Sequence, residues 1–311
     1  MEVIIKEIEY GSEYYRGLRS LWCEVFDSTP EEVDAFYENF GDDIRGYAAV
    51  DESGEVFSAI TCHPCGTYRG IPVYVSYAIC TREENRGQGL AAKLTSFVRD
   101  KVTEAGYISV LSPAEPSLVS FYAELGYEPH FFKLERAAMS PEFDLEEFDD
   151  FDEFDLDIEG ADPTPFRAEI DLQRIPAEKY NIYREAFLAE QPHIEPSIEM
   201  LRVIEAETMN GCGLYSVNRG DAICAVRSAD PVKVVLTELI LNPVLKELSF
   251  DIDSEIASMI AKHFGAAETH FITPGPGACQ GMICGLPDEP VDQNEEYEYY
   301  FEKPFYGFPI E

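Results

Sequence analysis

Residues Val73 to Val102 constrain this chain more than any other stretch. Val73-Tyr74-Val75-Ser76-Tyr77-Ala78-Ile79-Cys80-Thr81 is β-branched and aromatic, the composition of a buried strand. Leu90, Leu94, Phe97, Val98 and Val102 recur at steps of three and four, which is one face of a helix ending at Gly106. Between the two runs, Gly87 and Gly89 let the backbone turn tightly and come close to a ligand. A strand, a glycine turn and a helix N-terminus make an anion cradle, because the first helical amides have no intrahelical acceptor and lie at the positive end of the dipole.

The turn is not a P-loop, which needs Gly-Lys-Ser/Thr, nor a dinucleotide fingerprint, since Gly-x-Gly-x-x-Gly is absent. Arg86-Gly87-Gln88-Gly89-Leu90-Ala91 instead resembles the signature of the GNAT superfamily of acyl-CoA-dependent N-acyltransferases, Arg/Gln-x-x-Gly-x-Gly/Ala, at every defined position. The resemblance implies that the turn from Arg86 through Gly87, Gln88, Gly89 and Leu90 to Ala91 holds the coenzyme A pyrophosphate. It also implies that the strand before it, at Ala78, Ile79 and Cys80, pairs with the pantetheine arm. An ordinary strand-to-helix connection is the plain alternative.

After Gly106, Ile108-Ser109-Val110-Leu111 reads as a buried strand, and Pro116-Ser117 opens a short helix with Leu118, Phe121, Tyr122 and Leu125 on one face. Phe121-Tyr122-Ala123-Glu124-Leu125-Gly126-Tyr127 is similar to the second GNAT motif, a helix carrying Tyr four residues before Gly-Phe/Tyr. The resemblance makes Tyr122 the group that protonates the departing thiolate, and Ser117 a further coenzyme contact. A phenol suits that task, being a neutral donor at pH 7. By spacing alone Tyr122 is a core aromatic; two motifs in the right order separate the readings.

At 311 residues the chain has room for two ordinary domains. No apolar run approaches a membrane span, and Met1-Glu2-Val3-Ile4-Ile5-Lys6 lacks a signal-peptide pattern, so a cytoplasmic protein is expected. Eight cysteines in mostly apolar surroundings read as buried thiols of a reducing compartment. Sixty acids against 23 Lys plus Arg give a formal net charge of −37, which repels nucleic acid and anionic membrane and attracts amines. Against that background Arg82, Arg86 and Lys93 are expected to gather at the cradle as a local positive site.

From Leu18 to Phe40 two helical stretches are expected, the second capped by Asp27-Ser28-Thr29-Pro30-Glu31-Glu32, and Gly46–Val50 with Val56–Ile60 reads as a hairpin. This order of elements is that of the GNAT fold, whose first two helices wall the acceptor site. Glu24, Asp27, Glu31 and Glu32 are therefore candidates to meet a cationic amine, the alternative being a solvated acidic face. Cys62-His63-Pro64-Cys65 looks like half of a metal site, but no second Cys-x-x-Cys occurs, and no metal is expected.

Between Glu142 and Asp162 stand twelve acids and no base, which reads as a linker. Beyond it the first half returns at a single offset of 161: Trp22–Phe26 as Tyr183–Phe187, Val75–Ile79 as Leu236–Ile240, Leu111–Pro113 as Ile272–Pro274. The second copy has no glycine at its cradle position, Asn242 to Leu248, and Ile283 stands at the offset of Tyr122. It is expected not to bind coenzyme A. Tyr297 to Phe308 reads as closing strands.

The expected fold is thus α/β of the α+β type, a mixed central sheet flanked by helices. Two GNAT-like domains follow in tandem, 1–141 catalytic and 166–311 degenerate, joined by the acidic stretch 142–165. The arrangement resembles the enhanced-intracellular-survival type of acetyltransferase, which implies a role for the terminal carboxylate, here Glu311. The expected activity is transfer of acetyl from acetyl-CoA to the amine of a small molecule or peptide by direct attack, with amides at Ile79 and Cys80 polarising the carbonyl. Two rivals stand beside it. One is a non-catalytic acyl-CoA sensor on the same fold. The other is an aminoacyl transferase, against which the charge argues.

Overall fold

The structure, a computed structural model, describes residues 3–142, 169–246 and 251–287. In the first half of the chain the elements run β1 (Ile4–Ile8), α1 (Glu13–Phe26), α2 (Pro30–Phe40), β2 (Arg45–Val50), β3 (Val56–Tyr68) and β4 (Ile71–Thr81). There follow α3 (Leu90–Glu104), β5 (Ile108–Leu111), α4 (Leu118–Glu124) and β6 (Glu128–Met139). The second half carries β7 (Leu172–Arg174), α5 (Ala177–Phe187), β8 (Glu195–Pro196), α6 (Ile198–Ala206), β9 (Gly213–Val217), β10 (Ala222–Ala229) and β11 (Lys233–Leu241). It closes, among the described residues, with α7 (Pro243–Lys246), α8 (Ile252–Phe264), β12 (Glu268–Pro274) and β13 (Ala278–Cys284). The class is the expected one, mixed sheet with flanking helices.

Two compact units result, and they are not contiguous halves. The first comprises Met1–Lys133 together with 191–203 and the stretch from Gly275; the second comprises Leu134–Glu190 and Ile204–Pro274. The boundary thus falls inside β6 rather than at 141, and β13 joins the first unit. The expected linker lies almost wholly outside the described residues, as do Tyr297 to Phe308 and Glu311.

In the first unit the strand order is β1-β2-β3-β4-β5-β13-β6. β1 to β4 are antiparallel in succession and β4–β5 is parallel, in the register Val73↔Ile108, Tyr74↔Ser109, Val75↔Val110. Local chemistry explains the helices. Ser12 caps α1 through the amide of Tyr15 at 3.1 Å, and Thr29 and Glu32 form a reciprocal capping box on α2 with Pro30 in its first turn. Helix α1 therefore starts at Glu13, a turn before the apolar stripe reveals it. Helix α3 buries Leu90, Leu94, Val98 and Val102 against Tyr47, Ala49, Phe57, Ile60 and Cys62 of β2 and β3. Strand β3 is longer than the expected hairpin arm and carries Cys62, His63 and Cys65 within it, all buried.

In the second unit β7, β9, β10 and β11 are antiparallel in succession and β11–β12 is parallel. The parallel register includes Val234↔Thr269, Val235↔His270 and Leu236↔Phe271. Each pair is a β4–β5 pair of the first unit moved on by 161 (234 − 73; 269 − 108). The offset breaks after β12. Only residues 275–277 separate β12 from β13, so the second half has no counterpart of α4, and Ile283 lies on a strand beside Val110. Its place is that of a β6-like strand, which corrects its expected pairing with Tyr122.

Buried side chains in the second unit include one ion pair. Arg184 is fully buried, and its Nε lies 3.2 Å from each oxygen of Glu238, which also accepts from Tyr180 Oη at 2.8 Å.

Candidate active site

The site is assembled from a bulge, a turn and a short helix. Opposite Ile60 of β3, strand β4 carries one residue too many, because the pairing steps from Ala59↔Cys80 to Thr61↔Tyr77. Ala78 takes up the extra length at φ +50°, a left-handed conformation that costs a non-glycine residue about 1–3 kcal/mol. On its other edge β4 follows β5 only as far as Val75, so the segment 76–81 diverges from β5 at the bulge. Ala78, Ile79 and Cys80 thus line an edge that a linear ligand could pair with. Nothing in the residue types announces the bulge, since alanine has no preference for positive φ.

The glycine turn follows. Gly87 and Gly89 have φ of +76° and +73°, and a Cβ at either would meet nothing within 4 Å, so conformation rather than space demands glycine. Gly89 is the N-cap of α3 and offers no side-chain cap; the first bond of the helix runs from Lys93 N to Gly89 O at 3.1 Å. The six N–H groups from Gly87 to Ala92 consequently have no acceptor among the described residues. No acid stands in the first turn of α3. The expected trio of cations is smaller than the sequence suggests. Arg82 is engaged by Glu55 at 2.5 Å, while Arg86 bonds Thr81 O through Nε at 3.3 Å, and Lys93 is exposed.

Tyr122 lies on α4, is 7% exposed, and has its phenol pushed up by burial. Its hydroxyl has no hydrogen-bond partner among the described residues, whereas neighbouring Tyr127 Oη bonds Ser109 Oγ at 2.8 Å. Ile79 joins the parts. It packs against the cluster of Leu111, Tyr122, Tyr127 and Met282 and also against the cluster containing Leu90 and Leu94 of α3. Bulge, cradle helix and phenol thus meet around one side chain. Ser117 caps nothing with its side chain, which instead reaches Glu115 Oε2 at 3.2 Å.

Cys80 is buried, and burial raises its thiol to about 12. It is therefore a protonated thiol at neutral pH, unsuited to carry an acyl group as a thiolate. Of the four candidate acids in and between α1 and α2, Glu32 is used by the capping box and Asp27 ends α1 in a left-handed turn, whereas Glu24 lies near enough to Cys80 to raise its thiol further. Glu31 is exposed. An aromatic floor extends from the bulge: Tyr77 stacks on Phe36 at 5.3 Å and meets Trp22 at 5.6 Å, and Phe40 lies 4.3 Å from the His63 ring. His63 is fully buried, and burial lowers its pKa to about 4, so it is neutral. No group of three His, Cys, Asp or Glu that could hold a metal occurs among the described residues.

Residues 13–127 match the acetyltransferase (GNAT) family. The match is to this segment and not to the whole chain. Cradle, bulge and Tyr122 all fall within it. No curated protein matches the chain in sequence. Among solved structures, a probable N-acyltransferase from Enterococcus faecalis is 15% identical with a TM-score of 0.62, over 91% of this chain and 72% of the other. A GCN5-related N-acetyltransferase from Anabaena variabilis is 15% identical with a TM-score of 0.60, over 90% and 72%. Eis1 from Mycobacterium abscessus is 11% identical with a TM-score of 0.54, over 90% and 73%. At such identities the likeness is one of fold.

Outside the matched segment, the position 161 past Leu90 is Asp251, the N-cap of α8 (251 − 90). Its first turn holds Asp253 and Glu255, and Arg136 binds Asp251, Asp253 and Ser254 there. Where α3 leaves amides open, α8 presents carboxylates tied to a guanidinium. That end repels a phosphate at close range.

Proposed function

We propose that the matched segment is a GNAT domain, an acetyl-CoA-dependent N-acetyltransferase that acts on a cationic amine of a small molecule or peptide by direct transfer. One observation carries the reading: six open amides at a helix N-terminus, a bulged strand edge and an unpartnered buried phenol occur in series and converge on Ile79. A carrier with a pyrophosphate at one end and a thioester at the other has the shape such a series requires. The amides of residues 87–92 would hold the pyrophosphate, and β4 at Ala78–Cys80 the pantetheine arm.

The chain's own groups then divide the chemistry. Amides at Ile79 and Cys80 polarise the thioester carbonyl, and the amine attacks it. Tyr122 gives its proton to the sulfur as the C–S bond breaks. With Cys80 held as a thiol, no acyl-enzyme at that residue is needed or favoured. The exposed acids Glu24 and Glu31 make the acceptor side attractive to a cation and, through water, able to take its proton.

We read the second unit as a degenerate copy with a structural role, on the strength of the shared offset and the blocked α8 terminus. A cytoplasmic setting without nucleic-acid partners accords with the charge and with eight cysteines that form no disulfide. The described helices include none long and apolar enough to cross a membrane.

The test is release of free coenzyme A from acetyl-CoA, followed with a thiol reagent in the presence of a panel of amines. Amine-dependent release with acetylated product is the expected result. Tight binding of acetyl-CoA that survives every amine intact would favour the sensor instead.

A further inference from the structure

A short piece of the chain's second half is built into the first unit, and it sits at the far end of the aromatic floor. Between α1 and α2 the chain spends residues 27–29; between α5 and α6, at the equivalent place, it spends residues 188–197. The longer loop carries β8. Strand β2 covers β3 only as far as Cys62, and β8 takes the same strand further on, pairing Gly66↔Pro196 and Thr67↔Glu195.

Three more bonds fix it. Ser197 N donates to Cys65 O at 2.8 Å, Thr67 Oγ1 to Glu195 Oε2 at 2.7 Å, and Asn39 Nδ2 of α2 to Glu199 O at 3.1 Å. Gly66 admits the strand: at φ +141° its missing Cβ would lie 1.9 Å from Glu195 O. The anchoring points flank the floor. Asn39 precedes Phe40, and Cys65 lies two residues past His63, the two rings that meet at 4.3 Å and continue through Phe36 to Tyr77 at the bulge.

We infer that residues 195–199 are a positioning strap for acceptor recognition: by clamping the end of α2 to the outer half of β3, they hold the aromatic floor on which a cationic amine is presented to the bulge. The inference rests on the N-acetyltransferase reading. Tyr77 is the partly exposed ring of this floor, and Trp22, Phe36, Phe40 and His63 are buried behind it; a cation would meet Tyr77, an attraction worth about 0.5–2 kcal/mol that depends on the buried rings holding it in place. The strap's hydrogen bonds run to β3 and α2, and none of them among the described residues reaches the cradle or Tyr122, so it bears on the acceptor and not on the coenzyme.

The chain has one tryptophan, Trp22, and it lies in this floor, 5.6 Å from Tyr77. Its fluorescence therefore reports on the floor whether or not turnover is measured. In Gly66→Ala we expect a red-shifted Trp22 emission, an acrylamide quenching constant raised about twofold and a KM for spermidine raised about tenfold, with coenzyme A affinity unchanged. Thr67→Val should move the same quantities less, and Thr67→Ser, which keeps the donor to Glu195, should restore them; this pair decides if Gly66→Ala fails to fold. Unchanged Trp22 emission and quenching in the folded variants would overturn the strap, as would a parallel loss of coenzyme affinity, which signals general loosening. If emission shifts as expected but the wild-type protein binds no coenzyme A, the enzyme reading falls, and the specificity role with it.

Discussion

Tyr122→Phe is expected to lower turnover by about 10²- to 10⁴-fold, the usual contribution of a positioned general acid, while coenzyme A affinity stays within about twofold of wild type. The substitution removes one oxygen that has no bond to lose, so packing with Leu111, Tyr127 and Met282 is kept and stability should hold. The pH profile supplies a second sign. Tyr122 works protonated, and burial raises its pKa above the ordinary 10.0, so the wild-type rate should show no alkaline fall from this group below that value. Stopped turnover assays with acetyl-CoA across pH 6 to 10 check both points. A Tyr122→Phe enzyme at wild-type speed would hand the sulfur's proton to another donor.

Arg184→Ala should destabilise the second unit by about 3–5 kcal/mol, the cost of stripping a buried carboxylate of its charged partner. Glu238 is 2% exposed and would keep only the Tyr180 hydroxyl. Glu238→Gln combined with Arg184→Met should recover much of the loss, because the uncompensated charge is then gone. Urea denaturation measures each. A loss under 1 kcal/mol for Arg184→Ala would mean that the carboxylate finds water or takes up a proton. The pair also bears on function: at an offset of 161, Glu238 occupies the place of Tyr77 and Arg184 that of Cys23 (238 − 77; 184 − 23). Where the first unit has its aromatic floor, the second unit has a buried ion pair.

What the residues disclose about this fold depends on how local the signal is. The glycine turn and its helix were legible because glycine at positive φ and an apolar helix face are properties of adjacent residues. The common offset was legible too, for Val75–Ile79 and Leu236–Ile240 are both strand-forming runs, and the parallel registers of β4–β5 and β11–β12 repeat at the same 161. The place of β13 was not, since its partners Leu111 and Phe132 lie over 140 positions away and a strand's neighbours leave no mark on its own composition. The bulge at Ala78 is hidden for a different reason, its strain being imposed by pairing rather than by residue type. Strand β3 runs past the expected hairpin arm because Cys62-His63-Pro64-Cys65, which looks like half of a metal site, is itself strand, and Gly66 beside it marks the register shift at which β8 docks.

Calorimetric titration of coenzyme A into the wild-type chain and into Gly89→Val tests the central claim most directly. Gly89 stands at φ +73°, where a β-branched residue cannot rest without turning the amides away. The account predicts one site per chain, and in the variant an affinity weakened at least about 30-fold, or roughly 2 kcal/mol. No heat of binding in the wild type, two sites per chain, or full affinity in a folded Gly89→Val protein would contradict it.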